Sequence, residues 1–212
     1  MDFWNRLDAA RARWNVLEHP FYERWSAGEL SRDELAAYSG QYRHAVVALA
    51  EAAHNAAAAA GPELRAQLEG HAAEEAGHVT LWDEFARAMG GDPAAAPSAE
   101  TRDCAGAWAG EDRALLPSLV ALYAIESGQP AISETKREGL LTHYGVNEGP
   151  ATAYFDLHAH LDHEHAAAAR ALIEPRLADA DADALVAEAE GVLRANWELL
   201  DGVERLNGRD AA

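Results

Sequence analysis

Residues 155–173 read FDLHAHLDHEHAAAARALI, and within them His158, Asp162 and His165 recur at spacings of four and three. A helix advances about 100° per residue, so Asp162 falls roughly 40° from His158, and His165 about 20° to the other side. The three side chains therefore leave one narrow stripe over two turns, while His160 and His163 fall well off it. Two imidazoles bracketing a carboxylate form a donor set that suits iron, manganese or zinc. The bland alternative is a histidine-rich solvated face. Burying Asp162 in a helix bundle without a cation would carry a heavy desolvation penalty, which a metal removes.

Outward from this stretch the chain reads helical from end to end. Alanine, leucine, glutamate and arginine dominate, and no alternating β-branched run predicts a strand. Breakers divide the chain into about seven or eight helices. The first is expected from about Asp2 to Glu18, stopping at His19-Pro20, and PFYERWSAG forms a short second one. Ser31 and Glu34 spell a capping box that opens a long helix to about Ala60. Gly61-Pro62 starts the next, which runs to Met89. After a loop-like stretch and a short helix, residues 111–144 read helical, with a kink at Gly128 and Pro130. Gly149-Pro150 opens the helix of the His158 triple, and Asp181 or Asp183 caps the last. The expectation is a single all-α bundle spanning 1–212.

Two further elements carry chemistry. Residues 71–78 read HAAEEAGH. Glu75 and His78 have the i, i+3 spacing by which bundle di-iron proteins set a carboxylate and an imidazole on one metal. Glu74 and His71 reach the same face, so Glu74 stays open as the rival carboxylate. Glu51-x-x-His54 repeats the spacing one helix earlier, with His44 on the same side, and reads either as a ligand or base or as surface hydrogen bonding. The third element is Glu126, which follows LLPSLVALYAI on a helix apolar nearly all round. A carboxylate there wants a metal or a counter-charge. Lys136, past the kink, is the candidate for an ion pair or for a place in the same cavity.

Composition narrows the partners. The 212 residues carry 36 Asp plus Glu against 17 Lys plus Arg, a formal charge of −19. That surface disfavours nucleic acid and anionic membrane. One cysteine, Cys104, excludes an internal disulfide and any multi-thiolate site. The start MDFWNRLDAA has no apolar signal-peptide core, and no stretch approaches the roughly 18–20 apolar residues of a membrane span, so a cytoplasmic setting is expected.

HPFYERWSAGEL (19–30), QYRHAVVALAEAAH (41–54), EEAGHVTLWDEFARAMG (74–90), the 126–140 segment with Gly145, the His158/Asp162/His165 triple and WELLDGV (197–203) together resemble the TenA/PqqC superfamily. The narrower resemblance is to CADD-like haem-oxygenase-like di-iron oxidases. It implies a haem-oxygenase-like bundle and metal ligation by Glu75, His78, Glu126, His158, Asp162 and His165. It further implies two Fe(II), or a manganese/iron pair, with dioxygen as co-substrate. Tyr22 and Lys136 match a tyrosine and a lysine that lie near the site in CADD-like members. Some of those make 4-aminobenzoate from a tyrosine of their own chain, and others oxidise amino acids or fatty acids. Two departures stand out. In some members the first carboxylate sits two turns before its histidine, where this chain has His71. The aromatic, proline-bearing stretch that follows Q-Y in the family reads RHAVVALAEAAH here.

The resulting expectation is an oxygen-dependent oxidase acting on a small metabolite, with an external reductant and a homodimeric state carried over from the resemblance. Glu51, His44 and His71 are the expected orienting partners of the imidazoles. A metal-free TenA/PqqC-type enzyme, with Cys104 as a possible nucleophile, and a non-enzymatic metal-binding or interaction protein are the alternatives.

Overall fold

The computed structural model describes residues 2–209. Its α-helices are α1 (Phe3–Arg13), α2 (Pro20–Ala27), α3 (Arg32–Ala59), α4 (Pro62–Ala88), α5 (Ala99–Ala109), α6 (Leu115–Glu126), α7 (Gln129–His143), α8 (Ala153–Ile173) and α9 (Ala182–Leu206). No strand occurs among the described residues, so the all-α bundle is as expected. The Ser31/Glu34 capping box forms in both directions, and Asp181 caps α9 by accepting from the Asp183 and Ala184 amides. The first helix ends earlier than the sequence suggested. Asn15 accepts from the Leu17 amide and starts a separate 3-10 turn over Val16–Glu18, an alternative that Asn side chains offer the backbone.

The expected kink is a full break between α6 and α7. Pro130 has no amide hydrogen, and its ring would collide with the carbonyl four residues back, that of Glu126. The helix therefore stops at Glu126 and restarts at Gln129. From Ser118 to Glu126 every residue of α6 is buried, because α3, α8 and α9 all pack on it. Glu126 thus sits at the carboxyl end of a fully buried helix, where the helix dipole itself disfavours a negative charge.

A stripe of buried alanines on α3, including Ala45, Ala48, Ala52 and Ala56, lets it lie close along α4 and α5. α2 meets α7 just as tightly. A Cβ on Gly139 would stand 2.5 Å from the Trp25 indole nitrogen, and that nitrogen donates to the Lys136 carbonyl at 3.2 Å. His19 caps α2 by accepting from the Phe21 amide at 3.0 Å, with its other ring nitrogen 3.3 Å from Asp201. These contacts fix where Tyr22 stands relative to Lys136.

Candidate metal centre

α4 and α8 face each other across α6 and present matching stripes. His71, Glu75 and His78 follow the spacing of His158, Asp162 and His165, and Glu126 enters from the end of α6. The His71 and His165 rings lie 4.3 Å apart between centroids, and those of His78 and His158 4.6 Å. Two donor groups result: His71, Glu75, Glu126 and His165, and Glu75, His78 and His158, each with its ligand-type atoms within 4.8 Å of one another. Glu75 belongs to both. Its Oε1 lies 3.7 Å from His71 Nε2, 3.3 Å from His78 Nδ1 and 3.7 Å from His165 Nδ1.

Asp162 stands beside these groups. Its Oδ2 is 2.9 Å from His158 Nδ1, and its Oδ1 is 3.6 Å from His165 Nδ1. On the other side of His165, Nε2 meets the exposed Glu74 carboxylate at 3.2 Å. Glu75 is 1% exposed where Glu74 is 57%, so Glu75 faces the cluster and Glu74 its rim.

The donor set fits a metal on this chain's own chemistry. Glu75 Oε1, both Glu126 oxygens, Asp162 Oδ1, His71 Nε2, His78 Nδ1, His158 Nε2 and His165 Nδ1 are all buried without a hydrogen-bond partner. Native proteins satisfy buried polar groups almost completely, so a convergence of this kind calls for an ion. Among the described residues, the ion pairs of Glu75, Glu126 and Asp162 are all with histidine, never with Lys or Arg. Burial lowers the basicity of His71, yet Glu126 and Glu75 outweigh it and lift its pKa to about 10. Burial raises the Glu126 carboxyl against the pull of His71. Glu75 is also pushed up by burial, but the imidazoles of His71 and His78 beside it hold it well below the usual carboxylate range. Protons here do the work that a divalent cation does better. Imidazole and carboxylate together suit iron, manganese or zinc.

Not every expected residue is in this cluster. His71, expected to orient an imidazole and standing where some members carry the first carboxylate, is among the donors. Glu51 and His44, expected beside it, are not. Glu51 is exposed in a groove between α3 and α4 with His54 and Glu69, and His44 Nε2 lies 2.9 Å from the Ala95 carbonyl. The helix face of α3 that turns inward is its alanine stripe. Cys104 is fully buried on α5, and burial pushes its thiol strongly up, which leaves no nucleophile there.

Lys136 forms no ion pair with Glu126. It is 0% exposed, and its Nζ has no hydrogen-bond partner. It lies 4.4 Å from the Tyr42 ring centroid, 5.3 Å from Trp82 and 5.7 Å from Tyr22. Burial brings its pKa down to about 7. Tyr22, 1% exposed, shares a 2.9 Å hydroxyl–hydroxyl hydrogen bond with Tyr38. This aromatic chamber joins the donor cluster through Tyr154, whose ring is 4.9 Å from Trp82 and 4.1 Å from His158.

The chain belongs to a family of iron-containing redox enzymes, whose model matches residues 36–197, and it is accordingly an oxidoreductase. Among its relatives, a 4-aminobenzoate synthase of Chlamydia trachomatis serovar D is 32% identical over 217 residues, covering 95% of this chain and 91% of the relative. A 4-aminobenzoate synthase of Nitrosomonas europaea is 30% identical over 224 residues, covering 95% and 90%. A solved domain of unknown function with a heme oxygenase-like fold from Shewanella denitrificans superposes with a TM-score of 0.83 at 17% identity, over 98% of this chain and 94% of that one. The haem-oxygenase-like bundle and the resemblance to CADD-like oxidases stand. Among the described residues, no helix is long and apolar enough to cross a membrane.

Proposed function

We propose that the chain makes 4-aminobenzoate oxidatively from its own Tyr22, using two iron ions, or a manganese/iron pair, held by the α4, α6 and α8 side chains. The observation that carries this reading is the pair of donor groups sharing Glu75, beside buried aromatic rings that enclose a phenol and an amine without a hydrogen-bond partner. His71, Glu126 and His165 would serve one metal, His78 and His158 the other, with Glu75 between them and Asp162 completing the set from α8. When bound, the metals supply the redox chemistry that activates dioxygen.

The chain's own residues do the rest. Tyr22, Tyr38, Tyr42 and Trp82 are at most 1% exposed, so bulk water is kept from the chamber. The Tyr38 hydroxyl, 2.9 Å from that of Tyr22, fixes the phenol and offers its proton a partner. Lys136, with its pKa brought down to about 7, presents a substantial fraction of neutral amine beside the Tyr22 ring. A free amine has the lone pair needed to attack the ring carbon that bears oxygen, and an ammonium does not. The oxygen would leave as water, and the Cε–Nζ bond would then be cut oxidatively by dioxygen with electrons from the external reductant. The product carries nitrogen para to a carboxyl carbon, and tyrosine already has para substitution by oxygen and carbon. Tyr22 is accordingly read as the source of the ring and Lys136 as the amine that faces it.

An external reductant and a homodimer complete the reading and rest on the resemblance alone. The test is a single-turnover reaction on iron-loaded protein with Tyr22→Phe and Lys136→Arg variants. Both should retain wild-type iron and yield no 4-aminobenzoate, while the wild-type chain loses mass at Tyr22 by peptide mass spectrometry. Wild-type yield from both variants refutes the reading.

A further inference from the structure

The donor cluster is not equally sealed on its two sides. Glu75, Glu126, His158 and Asp162 have side chains at most 1% exposed, and His78 8%, whereas His165 reaches 11% and His71 16%. Both of the more exposed imidazoles form the inner end of a pocket of about 220 Å³ between α4, α6 and α8. Leu68, Leu119, Leu122, Ala169 and Leu172 form its walls, and Gln67, Gly70, Glu74 and Ala168 lie at its rim. The opposite side of the cluster is closed by Tyr154 and the aromatic chamber.

We infer that this leucine-walled pocket is a binding site for a small apolar gas and conducts dioxygen from solvent to the His71/His165 side of the cluster. The inference rests on the proposed oxidase reading and extends it to the route of the co-substrate. The apolar part of the pocket, between Leu68, Leu119, Leu122 and Leu172, offers apolar atoms such as xenon contacts that water cannot use, and dioxygen shares that preference. Glu74 at the rim engages Nε2 of His165, so its Nδ1 stays turned toward Glu75 and Asp162. Dioxygen entering here meets the cluster on the side away from Tyr22 and Lys136. The buried chamber then never has to open to solvent during oxidation.

The rim offers a gentle way to close the pocket. A Cβ built on Gly70 meets nothing within 4 Å, and Ala168 on α8 is exposed, so Gly70→Phe and Ala168→Phe add bulk at the mouth without entering the packed core. Two readouts apply to each variant. The first is xenon binding to metal-free protein, in crystals under pressure. The second is the rate at which dioxygen oxidises bound Fe(II), at matched iron content and melting temperature. We expect xenon between Leu119, Leu122 and Leu172 in the wild type, its loss in the double variant, and an oxidation rate at least tenfold slower. Absence of xenon from the wild-type pocket overturns the proposal, as does an unchanged oxidation rate in a double variant that has lost it. Protein that takes up no iron refutes the oxidase reading and the dioxygen route with it, while the xenon arm still reports separately on the gas site.

Discussion

Replacing Lys136 with methionine should make the metal-free protein more stable at pH 6–7 and far less so at pH 10. The lysine is fully buried, its ammonium has no hydrogen-bond partner, and burial brings its pKa from the ordinary 10.5 to about 7. At 1.36 kcal/mol per tenfold change in proton affinity, that displacement sets about 5 kcal/mol against the charged form. The sign follows from proton uptake. Between pH 7 and 10.5 the unfolded chain holds the lysine proton and the folded chain has released it, so wild-type stability rises with pH across that window. Below pH 7 both states are protonated and the penalty is full. Methionine keeps most of the volume and carries no charge, so its advantage of about 5 kcal/mol near pH 6 shrinks towards zero by pH 10.5. Urea unfolding of both proteins at pH 6, 8 and 10, followed by circular dichroism, measures it. A Lys136→Met protein no more stable than wild type at pH 6, or an advantage independent of pH, would sink the argument that burial alone depresses this amine.

Three other outcomes follow from the packing and the donor set. His158→Ala and Asp162→Ala should each lower bound iron below half the wild-type content per chain, measured by elemental analysis after anaerobic loading; full iron in either removes that residue from the proposed set. Gly139→Ala brings a methyl group to 2.5 Å from the Trp25 indole nitrogen and should cost about 1–3 kcal/mol as overpacking. Because it pushes α2 off α7, it should also cut 4-aminobenzoate yield while leaving iron content unchanged, a split that a general loss of fold would not give. His19→Ala removes the acceptor for the Phe21 amide and should cost about 1 kcal/mol as a lost cap, read as a lower urea midpoint.

The sequence was most transparent where local rules act alone. The capping box at Ser31, the Pro130 break and the α8 stripe are all short-range chemistry, and they appear where the spacing put them. His71 is harder to place, because the carboxylate-plus-histidine spacing marks Glu75 and His78. The legible signal was that His71/Glu75/His78 repeats the spacing of His158/Asp162/His165. Glu51-x-x-His54 carries the same local motif as Glu75-x-x-His78 and yet stays outside. Which face of α3 turns inward is decided by its alanines fitting against α4 and α5, a tertiary fact with no periodic marker in the polar residues. Lys136 was similarly opaque. Its burial depends on Gly139 admitting Trp25 and on aromatic rings from α2, α3, α4 and α8 meeting around one amine.

If Tyr22 supplies the ring as proposed, its depth bears on the fate of the molecule after it has acted. Its ring is packed against Phe21, Trp25 and Tyr38 at 5.6–6.4 Å between centroids, in the middle of the bundle. A chain that gives up that ring is left with a void where a large aromatic side chain stood, a loss on the order of 3–5 kcal/mol. That is a large share of the roughly 5–15 kcal/mol by which domains are ordinarily stable. The used molecule would therefore unfold more readily than a fresh one and fall first to cellular proteases. Product output in such a system tracks the rate of protein synthesis, because each chain delivers once and is then cleared.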